Sequence, residues 1–257
     1  MPIPSDGTPL TALITGASSG IGRATGLELA GRGAQLVLVS RGRDSLEEAA
    51  AEMRAAGAKE VVVCPGDVTD EDQVRAAVDA ATGRFGRLDV VVHSAQVMAY
   101  GTVEQLPREI FQTVVDTALH GTANLARVVL PVFREQHAGH LAVVNSLLGN
   151  ISAPFMGSYV AAKWGQLGLV RTLQLETRDE PGISISIVQP GGVNTPIYTQ
   201  AASWVGSTGR PPPPVYSPFR VARSVLSTLD RPRRVVQSGV FNPIITAGFR
   251  LVSGVYD

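Results

Sequence analysis

The sequence predicts one α/β domain built on a doubly wound parallel sheet of about seven strands. Short runs of Val, Leu and Ile alternate along the chain with amphipathic stretches, as expected when a helix crosses over between parallel strands. Most of the apolar runs are nearly continuous, which indicates strands covered by helices on both faces. The length of 257 residues fits one sizeable domain, and no linker or internal repeat divides it. We therefore expect residues 1–257 to form a single unit.

The predicted strands and helices alternate along the chain. The predicted strands are the apolar runs at 11–15, 34–40, 60–64, 88–93, 141–145, 183–188 and 233–238. A helix follows the first strand, and further helices are predicted at 44–57, 71–86, 107–133, 158–178 and 218–229. Asp44 or Ser45 is the expected cap of the second helix, and Gly57 its stop. Four consecutive prolines in residues 209–218 predict a stiff, extended arm around the domain.

Composition and charge exclude several classes of partner. Twenty-two acidic residues balance twenty-two basic ones, so no net field attracts nucleic acid or an anionic membrane. No signal peptide is visible, and no segment approaches the roughly twenty apolar residues that span a bilayer. The single cysteine, Cys64, has no disulfide partner, which favours a packing role and a reduced, cytoplasmic setting. The tail at 240–257 is apolar but interrupted by polar residues, and we expect a packing or partner surface there, with a membrane contact as the remote alternative.

A glycine-rich turn follows the first predicted strand. Residues 15–22 read TGASSGIG, so Gly16, Gly20 and Gly22 lie between a buried strand and a helix. Glycines at this point permit a tight turn and bring backbone N–H groups close to a pyrophosphate at the helix N-terminus. A spaced glycine triplet alone is weak evidence, but its place in the first βαβ unit favours nucleotide binding over a purely structural turn.

The residues at the end of the second strand indicate whether the cofactor is NAD or NADP(H). An acidic residue there would accept hydrogen bonds from the ribose hydroxyls of NAD. This chain has Ser40, Arg41 and Arg43 instead, and guanidinium groups pair well with a 2′-phosphate. Asp44 is close enough to be a rival, but a helix cap explains it better. The sequence therefore favours NADP(H), the alternative being two solvated surface arginines.

Four motifs resemble those of the short-chain dehydrogenase/reductase family, in the family's order and spacing. They are TGASSGIG at 15–22, GDV at 66–68, Tyr159-x-x-x-Lys163 and PGGVNTP at 190–196. The resemblance covers residues from about 11 to 240 and implies a Rossmann-like fold. It implies that the glycine loop holds the cofactor pyrophosphate, that the second motif lies against the adenine and that the last lines the nicotinamide. The predicted cofactor-binding residues are Gly16, Ser18, Ser19, Gly20, Ile21, Gly22, Ser40, Arg41, Arg43, Asp67, Val68, Ser94, Ala95, Tyr159, Lys163, Pro190, Gly191, Val193 and Thr195.

The same resemblance implies that Ser146, Tyr159 and Lys163 are catalytic. A hydride moved to a ketone leaves an alkoxide that needs a proton from a positioned acid. A tyrosine hydroxyl has a pKa of about 10 in water, and a nearby positive charge lowers that pKa. Lys163 follows Tyr159 by one helical turn and is one of only two lysines in the chain, so we interpret it as a chemical requirement. Ser146 would hydrogen-bond the substrate carbonyl and orient it.

Two departures from the family pattern concern this site. The family usually reads Asn-Asn-Ala-Gly after the fourth strand, whereas residues 93–96 read HSAQ. Gln96 thus replaces a glycine that lets the backbone approach the cofactor. The family's relay asparagine aligns with Ala118, whose side chain cannot hold a water. Three alternatives stay open: Thr117 or His120 substitutes, the relay runs through backbone and water, or turnover is slow.

No catalytic role is assigned to His93, His137 or His140. His93 is interpreted as a strand-end residue that is satisfied locally. His137 and His140 flank a loop glycine and are interpreted as surface residues. No spacing of histidine, cysteine and carboxylate indicates a metal site.

The leading interpretation is an NADP(H)-dependent oxidoreductase acting on a small-molecule carbonyl or alcohol. Residues 197–216 are expected to form a substrate lid. This segment has one charged residue, Arg210, and favours an apolar or aromatic ketone. It carries the apolar and aromatic residues Ile197, Tyr198, Trp204 and Val205.

Two other functions compete with this one. The departures at Gln96 and Ala118 motivate a cofactor-binding regulator with little catalysis. An epimerase or dehydratase acting on nucleotide sugars also uses a Tyr-x-x-x-Lys pair, but its expected extra substrate domain is missing from 257 residues. The resemblance further implies a homodimer or homotetramer formed through the long helices at 107–136 and 157–178.

Overall fold

A parallel sheet with helices on both faces forms the centre of the computed structural model, which describes residues 8–251. The strands are β1 (Thr11–Thr15), β2 (Gln35–Ser40), β3 (Glu60–Pro65), β4 (Val90–His93), β5 (Ala99–Tyr100), β6 (Gly139–Val144), β7 (Ile183–Pro190), β8 (Ala202–Ser203) and β9 (Val235–Ser238). The helices are α1 (Gly20–Ala30), α2 (Arg43–Ala55), α3 (Glu71–Phe85), α4 (Arg108–Val115), α5 (Gly121–Glu135), α6 (Gly157–Glu176), α7 (Pro218–Asp230) and α8 (Asn242–Leu251).

The order of the strands confirms the predicted doubly wound, Rossmann-like sheet. Within the described residues the main sheet has seven strands, in the order β3-β2-β1-β4-β6-β7-β9. All of its neighbouring pairs are parallel. The chain winds outward from β1 to β3 and then returns to β4 on the other side of β1. Open α/β sheets bind ligands at such a reversal, beyond the carboxyl ends of the strands.

Helices bury both faces of the sheet, which explains the continuous apolar strands. Ile14 of β1 is fully buried in a cluster with Leu29 of α1 and Leu46 of α2. Its neighbour Leu13 points to the other face and packs in a cluster with Val78 of α3. Successive side chains of a strand alternate between the faces, so a strand buried on both sides needs apolar residues at every position.

The start of α2 differs from the prediction. The helix begins at Arg43 with Gly42 as its N-cap, and no side chain caps it. The prediction that Asp44 or Ser45 is the cap was therefore wrong. The Ser45 hydroxyl instead donates to the Gly42 carbonyl at 3.1 Å. Gly57 follows the last turn with a φ of 107°, as expected for a glycine stop.

The long helix predicted at 107–133 is interrupted by a π turn. Residues Asp116–His120 form this turn between α4 and α5. A π turn inserts a residue into the helical repeat and shifts the backbone hydrogen bonds around it. Ala118 lies at its centre and is fully buried.

The described part of the apolar tail forms α8. Residues 252–257 of the predicted tail lie outside the described residues. Ile244 and Leu251 of α8 are 69% and 83% exposed, so the helix leaves apolar side chains on the surface. Within residues 8–251, no helix has the length and the apolar character needed to cross a bilayer.

The prediction that His140 is a surface residue was wrong. Strand β6 begins two residues earlier than predicted and places His140 inside the sheet, where it is fully buried. Its Nδ1 lies 2.6 Å from the Ser184 hydroxyl and its Nε2 lies 3.0 Å from the Thr228 hydroxyl. Burial lowers the pKa of His140 to about 3.

This burial predicts a loss of stability in mild acid. The folded-state pKa of His140 is about 3, below the value of about 6.5 for an unfolded histidine. Between these values the unfolded chain binds the extra proton, so the free energy of unfolding falls as the pH is lowered from about 6.5. We expect thermal melting measured from pH 7 to pH 4 to decline less steeply in His140→Gln than in the parent. His120→Gln, at an exposed position, is the control; an equal decline in all three proteins would contradict the prediction.

Candidate active site

A cavity lies at the carboxyl edge of the sheet, where β1 and β4 adjoin. Its volume is about 520 Å³, within the usual range of small-molecule pockets. All of the predicted site residues line it except Gly22 and Arg43. The predicted residues that line it are Gly16, Ser18, Ser19, Gly20, Ile21, Ser40, Arg41, Asp67, Val68, Ser94, Ala95, Ser146, Tyr159, Lys163, Pro190, Gly191, Val193 and Thr195.

The glycine turn after β1 requires its glycines. Gly16 has a φ of 66°, and a Cβ added there would lie 2.8 Å from the backbone nitrogen of Ala95. The turn therefore contacts the end of β4 at a distance that excludes any larger residue. Gly22 does not line the cavity because it packs on the turn itself: an added Cβ would lie 2.2 Å from the Gly16 carbonyl oxygen.

The N-terminus of α1 fits a pyrophosphate. Ser19 is the N-cap of this helix, and its side chain makes no capping hydrogen bond. The first turn contains no acidic residue, so nothing on the helix neutralises its positive end. Free backbone N–H groups and the helix dipole make such an end an anion site. The residues present therefore fit the phosphates of a dinucleotide.

The end of β2 places Arg41, but not Arg43, in the cavity. Arg41 lines the cavity together with Gly42 and Ser45, whereas Arg43 does not. Sequence reasoning missed Ser45 as a lining residue because it assigned that residue to the helix cap. The position of the Ser45 hydroxyl depends on where α2 begins. The local sequence did not decide this, since it left Asp44 and Ser45 as alternative caps.

Ser146, Tyr159 and Lys163 converge in the cavity. Tyr159 and Lys163 lie one turn apart on α6, with Lys163 Nζ 5.7 Å from the centroid of the tyrosine ring. Ser146 lies two residues beyond the end of β6. Its hydroxyl accepts a hydrogen bond from the Leu148 backbone at 3.1 Å, and its proximity lowers the pKa of the Tyr159 phenol.

Burial is the main cause of the pKa shifts of Tyr159 and Lys163. It raises the pKa of the Tyr159 phenol well above its ordinary value, with a smaller contribution from Tyr198, and the hydrogen bond from Ser146 opposes the rise. Burial also lowers the pKa of Lys163 to about 7. The expectation that the lysine charge lowers the tyrosine pKa is therefore not met in the protein alone. The phenol carries its proton at neutral pH.

The two departures from the family pattern leave the cavity open. Gln96 lines it, and its Nε2 donates to the Val97 carbonyl at 2.8 Å. Thr117 also lines it, with its hydroxyl donating to a backbone carbonyl of its own helix at 2.8 Å. The side chain of His120 is 63% exposed and pairs with Asp116, so the structure does not support His120 as a substitute for the relay asparagine.

His93 makes the local hydrogen bond that the sequence indicated through one ring nitrogen, while its Nε2 is buried with no hydrogen-bond partner among the described residues. It is buried at the end of β4, with its Nδ1 2.8 Å from the Thr15 hydroxyl. Burial, with a smaller effect of Lys163, lowers its pKa to about 3. The imidazole is therefore neutral in the physiological range.

The substrate side of the cavity is apolar and was largely missed by sequence reasoning. Ile197 and Tyr198 of the predicted lid line the cavity, whereas Trp204 and Val205 do not and are exposed. These loops carry no period or spacing from which a contact could be predicted. The lining residues that the sequence did not single out here are Val97, Met98, Leu148, Met156, Gln200 and Ala201.

The predicted lid is attached to the loop after β4 by backbone pairing. Ala99 pairs with Ala202, and Tyr100 pairs with Ser203, in parallel register. The Trp204 backbone nitrogen donates to the Tyr100 carbonyl at 2.8 Å. This pairing holds the two walls of the apolar end together.

Charged side chains are sparse in the cavity. Of its lining residues, Arg41, Asp67 and Lys163 are charged types, and none belongs to the predicted lid. Asp67 already accepts two hydrogen bonds from Thr69 at 2.9 Å. Across residues 8–251, no three His, Cys, Asp or Glu side chains gather in a way that could hold a metal ion.

Comparisons with known proteins agree with this geometry. The chain is 33% identical over 232 residues to glycine betaine reductase ATRR of Emericella nidulans, a match covering 89% of this chain and 18% of that protein. An alcohol dehydrogenase from Thermococcus sibiricus, solved with 5-hydroxy-NADP, superimposes with a TM-score of 0.77 at 30% identity, covering 90% and 95% of the two chains. A short-chain dehydrogenase/reductase from Burkholderia phymatum, solved with NAD, gives a TM-score of 0.86 at 27% identity, covering 96% and 94%.

The family match includes the glycine turn and all three converging side chains. The model of the short chain dehydrogenases matches residues 10–206. This range extends from the start of β1 to the lid segment that pairs with β5. The chain therefore belongs to the short-chain dehydrogenase family of oxidoreductases.

Proposed function

We propose that the protein is an NADP(H)-dependent oxidoreductase that reduces an apolar or aromatic ketone, or oxidises the corresponding alcohol. The observation that carries the proposal is the convergence of Ser146, Tyr159 and Lys163 beside the glycine turn, in one cavity. A bound nicotinamide nucleotide would supply or accept the hydride. The roles of the chain's own residues follow from their contacts.

Arg41 is the residue that favours the phosphorylated nucleotide. Among the lining residues it is the only arginine, and it lies at the end of β2, where the adenosine ribose is held in sheets of this type. A planar guanidinium forms paired hydrogen bonds with a phosphate. The acidic residue that lines the cavity, Asp67, follows β3 and already accepts two hydrogen bonds from Thr69.

Tyr159 is the proton donor, and Ser146 orients the substrate. The raised pKa keeps the phenol protonated at neutral pH, so it is ready to protonate an alkoxide as it develops. The Ser146 hydroxyl is near enough to this phenol to lower its pKa, and a carbonyl oxygen between the two would accept from both. Lys163 places a positive charge beside the phenol when it is protonated, which stabilises the phenolate left after the transfer.

The lining of the lid side supports an uncharged substrate. Met98, Leu148, Met156 and Ile197 contribute apolar surface, and Tyr198 adds an aromatic ring. Burial raises the pKa of the Tyr198 phenol. This phenol is therefore neutral at physiological pH, and a charged substrate group would lose its hydration without gaining a charged partner.

The test is a reductase assay with NADPH that compares bulky aromatic ketones with sugar phosphates. We expect kcat/KM for the best aromatic ketone to exceed that for any sugar phosphate by at least about a hundredfold, because burying an unpaired charge is so costly. Met156→Arg, which adds a charge to the apolar wall, should reverse part of this preference. A sugar phosphate turned over faster by the parent protein would contradict the proposed substrate class.

We further propose a cytoplasmic homo-oligomer. Cys64 has no cysteine partner in the chain, which favours a reducing compartment. On α6 the outward face carries Trp164, which is 46% exposed, and Leu175, which is 59% exposed. Exposed apolar residues on one face of a long helix favour contact with a second copy.

A further inference from the structure

A buried glutamine connects Lys163 to the π turn. Gln166 is 1% exposed and lies three residues after Lys163 on α6. Its Oε1 accepts from Lys163 Nζ at 3.1 Å and from Asn145 Nδ2 at 2.9 Å. Its Nε2 donates to the Ala118 carbonyl at 3.2 Å and to the Thr122 hydroxyl at 2.9 Å. The amide thus uses both of its donors and both of its acceptor positions.

The neighbours of Gln166 determine the orientation of its amide. The Lys163 ammonium can only donate, so it must face Oε1. The Ala118 carbonyl can only accept, so it must face Nε2. A flipped amide would place donor against donor and acceptor against acceptor. A carboxylate at this position would keep the first contact and lose the second, and an aliphatic side chain would lose both.

The other end of this connection is the position at which the family's relay asparagine aligns. Ala118 has no polar side chain, but its carbonyl lies in the π turn at Asp116–His120. That carbonyl also accepts from the Thr122 hydroxyl at 2.6 Å. The Ala118 carbonyl is therefore connected to Lys163 through the amide of Gln166 on α6.

We propose that Gln166 is a positioning residue that holds the Lys163 ammonium in its catalytic place, in a chain that has Ala118 where the family has asparagine. An ammonium has three N–H donors. Within the described residues the hydrogen bonds of Lys163 Nζ go to Gln166 and, at 3.1 Å, to the Val144 carbonyl. These two contacts leave one donor for a ligand in the cavity. The inference rests on the proposed function, because that function gives Lys163 its role.

The groups around Lys163 allow its titration to be measured separately. The titratable groups facing it are His93 from β4 and Tyr159 on its own helix. His93 is neutral near pH 7, since its pKa is about 3, and Tyr159 keeps its proton there. On the π turn, Asp116 and His120 pair with each other towards the surface.

The experiment is an NMR titration of the nucleotide-free protein labelled with ¹³C at the ε carbon of lysine. The chain has two lysines, Lys59 and Lys163, so two signals are expected, and Lys59→Arg assigns them. Gln166→Met should lower the midpoint of Lys163 by about one pH unit, because the charged form loses an acceptor. Gln166→Glu should raise it by at least as much, because a carboxylate favours the charged form.

Gln174→Met is the matched control. Gln174 lies on the same helix, is 5% exposed, and donates to the Ile185 and Arg234 carbonyls at 3.0 and 2.8 Å. Its loss should lower the melting temperature and leave the Lys163 midpoint in place. If both folded Gln166 variants titrate like the parent, the inference is wrong. If Gln166→Met does not fold, the direction of the shift in Gln166→Glu decides alone.

An activity measurement separates this inference from the proposed function. Lys163→Met should abolish ketone reduction, and full activity in that variant would reject the proposed function whatever the NMR result. Gln166→Met should lower kcat/KM by about tenfold because the ammonium is displaced. Gln166→Glu should recover activity at high pH, because its carboxylate keeps Lys163 charged there. An inactive Lys163→Met beside a fully active Gln166→Met would reject only the positioning role.

Discussion

Replacing Tyr159 by phenylalanine is expected to lower kcat/KM for ketone reduction by about a thousandfold, the usual worth of a positioned general acid. The variant keeps the ring that lines the cavity and removes only the hydroxyl. Nucleotide binding, measured by the fluorescence of NADPH, should stay within about twofold of the parent, since the proposed phosphate contacts lie at α1 and β2. The loss would then belong to the chemical step and not to an empty site.

Tyr198→Phe is the control for this experiment. Tyr198 lines the same cavity, and its own pKa is raised by burial, but Lys163 lies over the ring of Tyr159. We expect Tyr198→Phe to change KM more than kcat and to keep at least about a tenth of the activity. A larger loss in Tyr198→Phe than in Tyr159→Phe would identify Tyr198 as the proton donor. A Tyr159→Phe protein with parental turnover would support the alternative interpretation, a cofactor-binding regulator with little catalysis.

Replacing Arg41 by serine should remove the preference for NADPH over NADH. A charge-assisted hydrogen bond contributes about 2 kcal/mol, which corresponds to about thirtyfold in the ratio of dissociation constants. The measurement is a fluorescence titration of the parent and the variant with each nucleotide. Because the interaction is with a phosphate, the parent's preference for NADPH should also weaken as salt is raised.

Arg43→Ser is the matched control for Arg41→Ser. The two arginines are separated by a single residue, but only Arg41 lines the cavity. We expect Arg43→Ser to change the ratio by less than about threefold, the effect of a distant surface charge. A larger effect at Arg43 would show that the bound state rearranges the start of α2. Tighter binding of NADH than NADPH by the parent protein would reject the proposed cofactor.

Much of the fold could be predicted because it depends on local patterns. The seven strands of the main sheet were found from their apolar runs, since a strand covered on both faces needs apolar side chains throughout. Errors occurred where one or two residues changed the outcome. An earlier start of β6 placed His140 in the core, and an earlier start of α2 left Asp44 and Ser45 without the capping role.

The site could be predicted in outline and not in detail. The glycine turn and the Tyr-x-x-x-Lys pair could be predicted from the sequence, because a turn and a helix bring together residues that are only a few positions apart. The contacts of Gln166 span 48 positions to Ala118 and 44 to Thr122, and no short-range pattern in the sequence predicts them. The pairing of Ala99 with Ala202 joins residues still more remote in sequence.

The sequence by itself determined the doubly wound sheet, the glycine turn at its first strand and the tyrosine and lysine one turn apart on a helix, because each depends on residues close together in the chain. Only the tertiary structure decided which arginine reaches the cavity, how Lys163 is held and that burial raises the pKa of Tyr159. These properties depend on desolvation and on hydrogen bonds between distant segments, which exist only once the chain has folded.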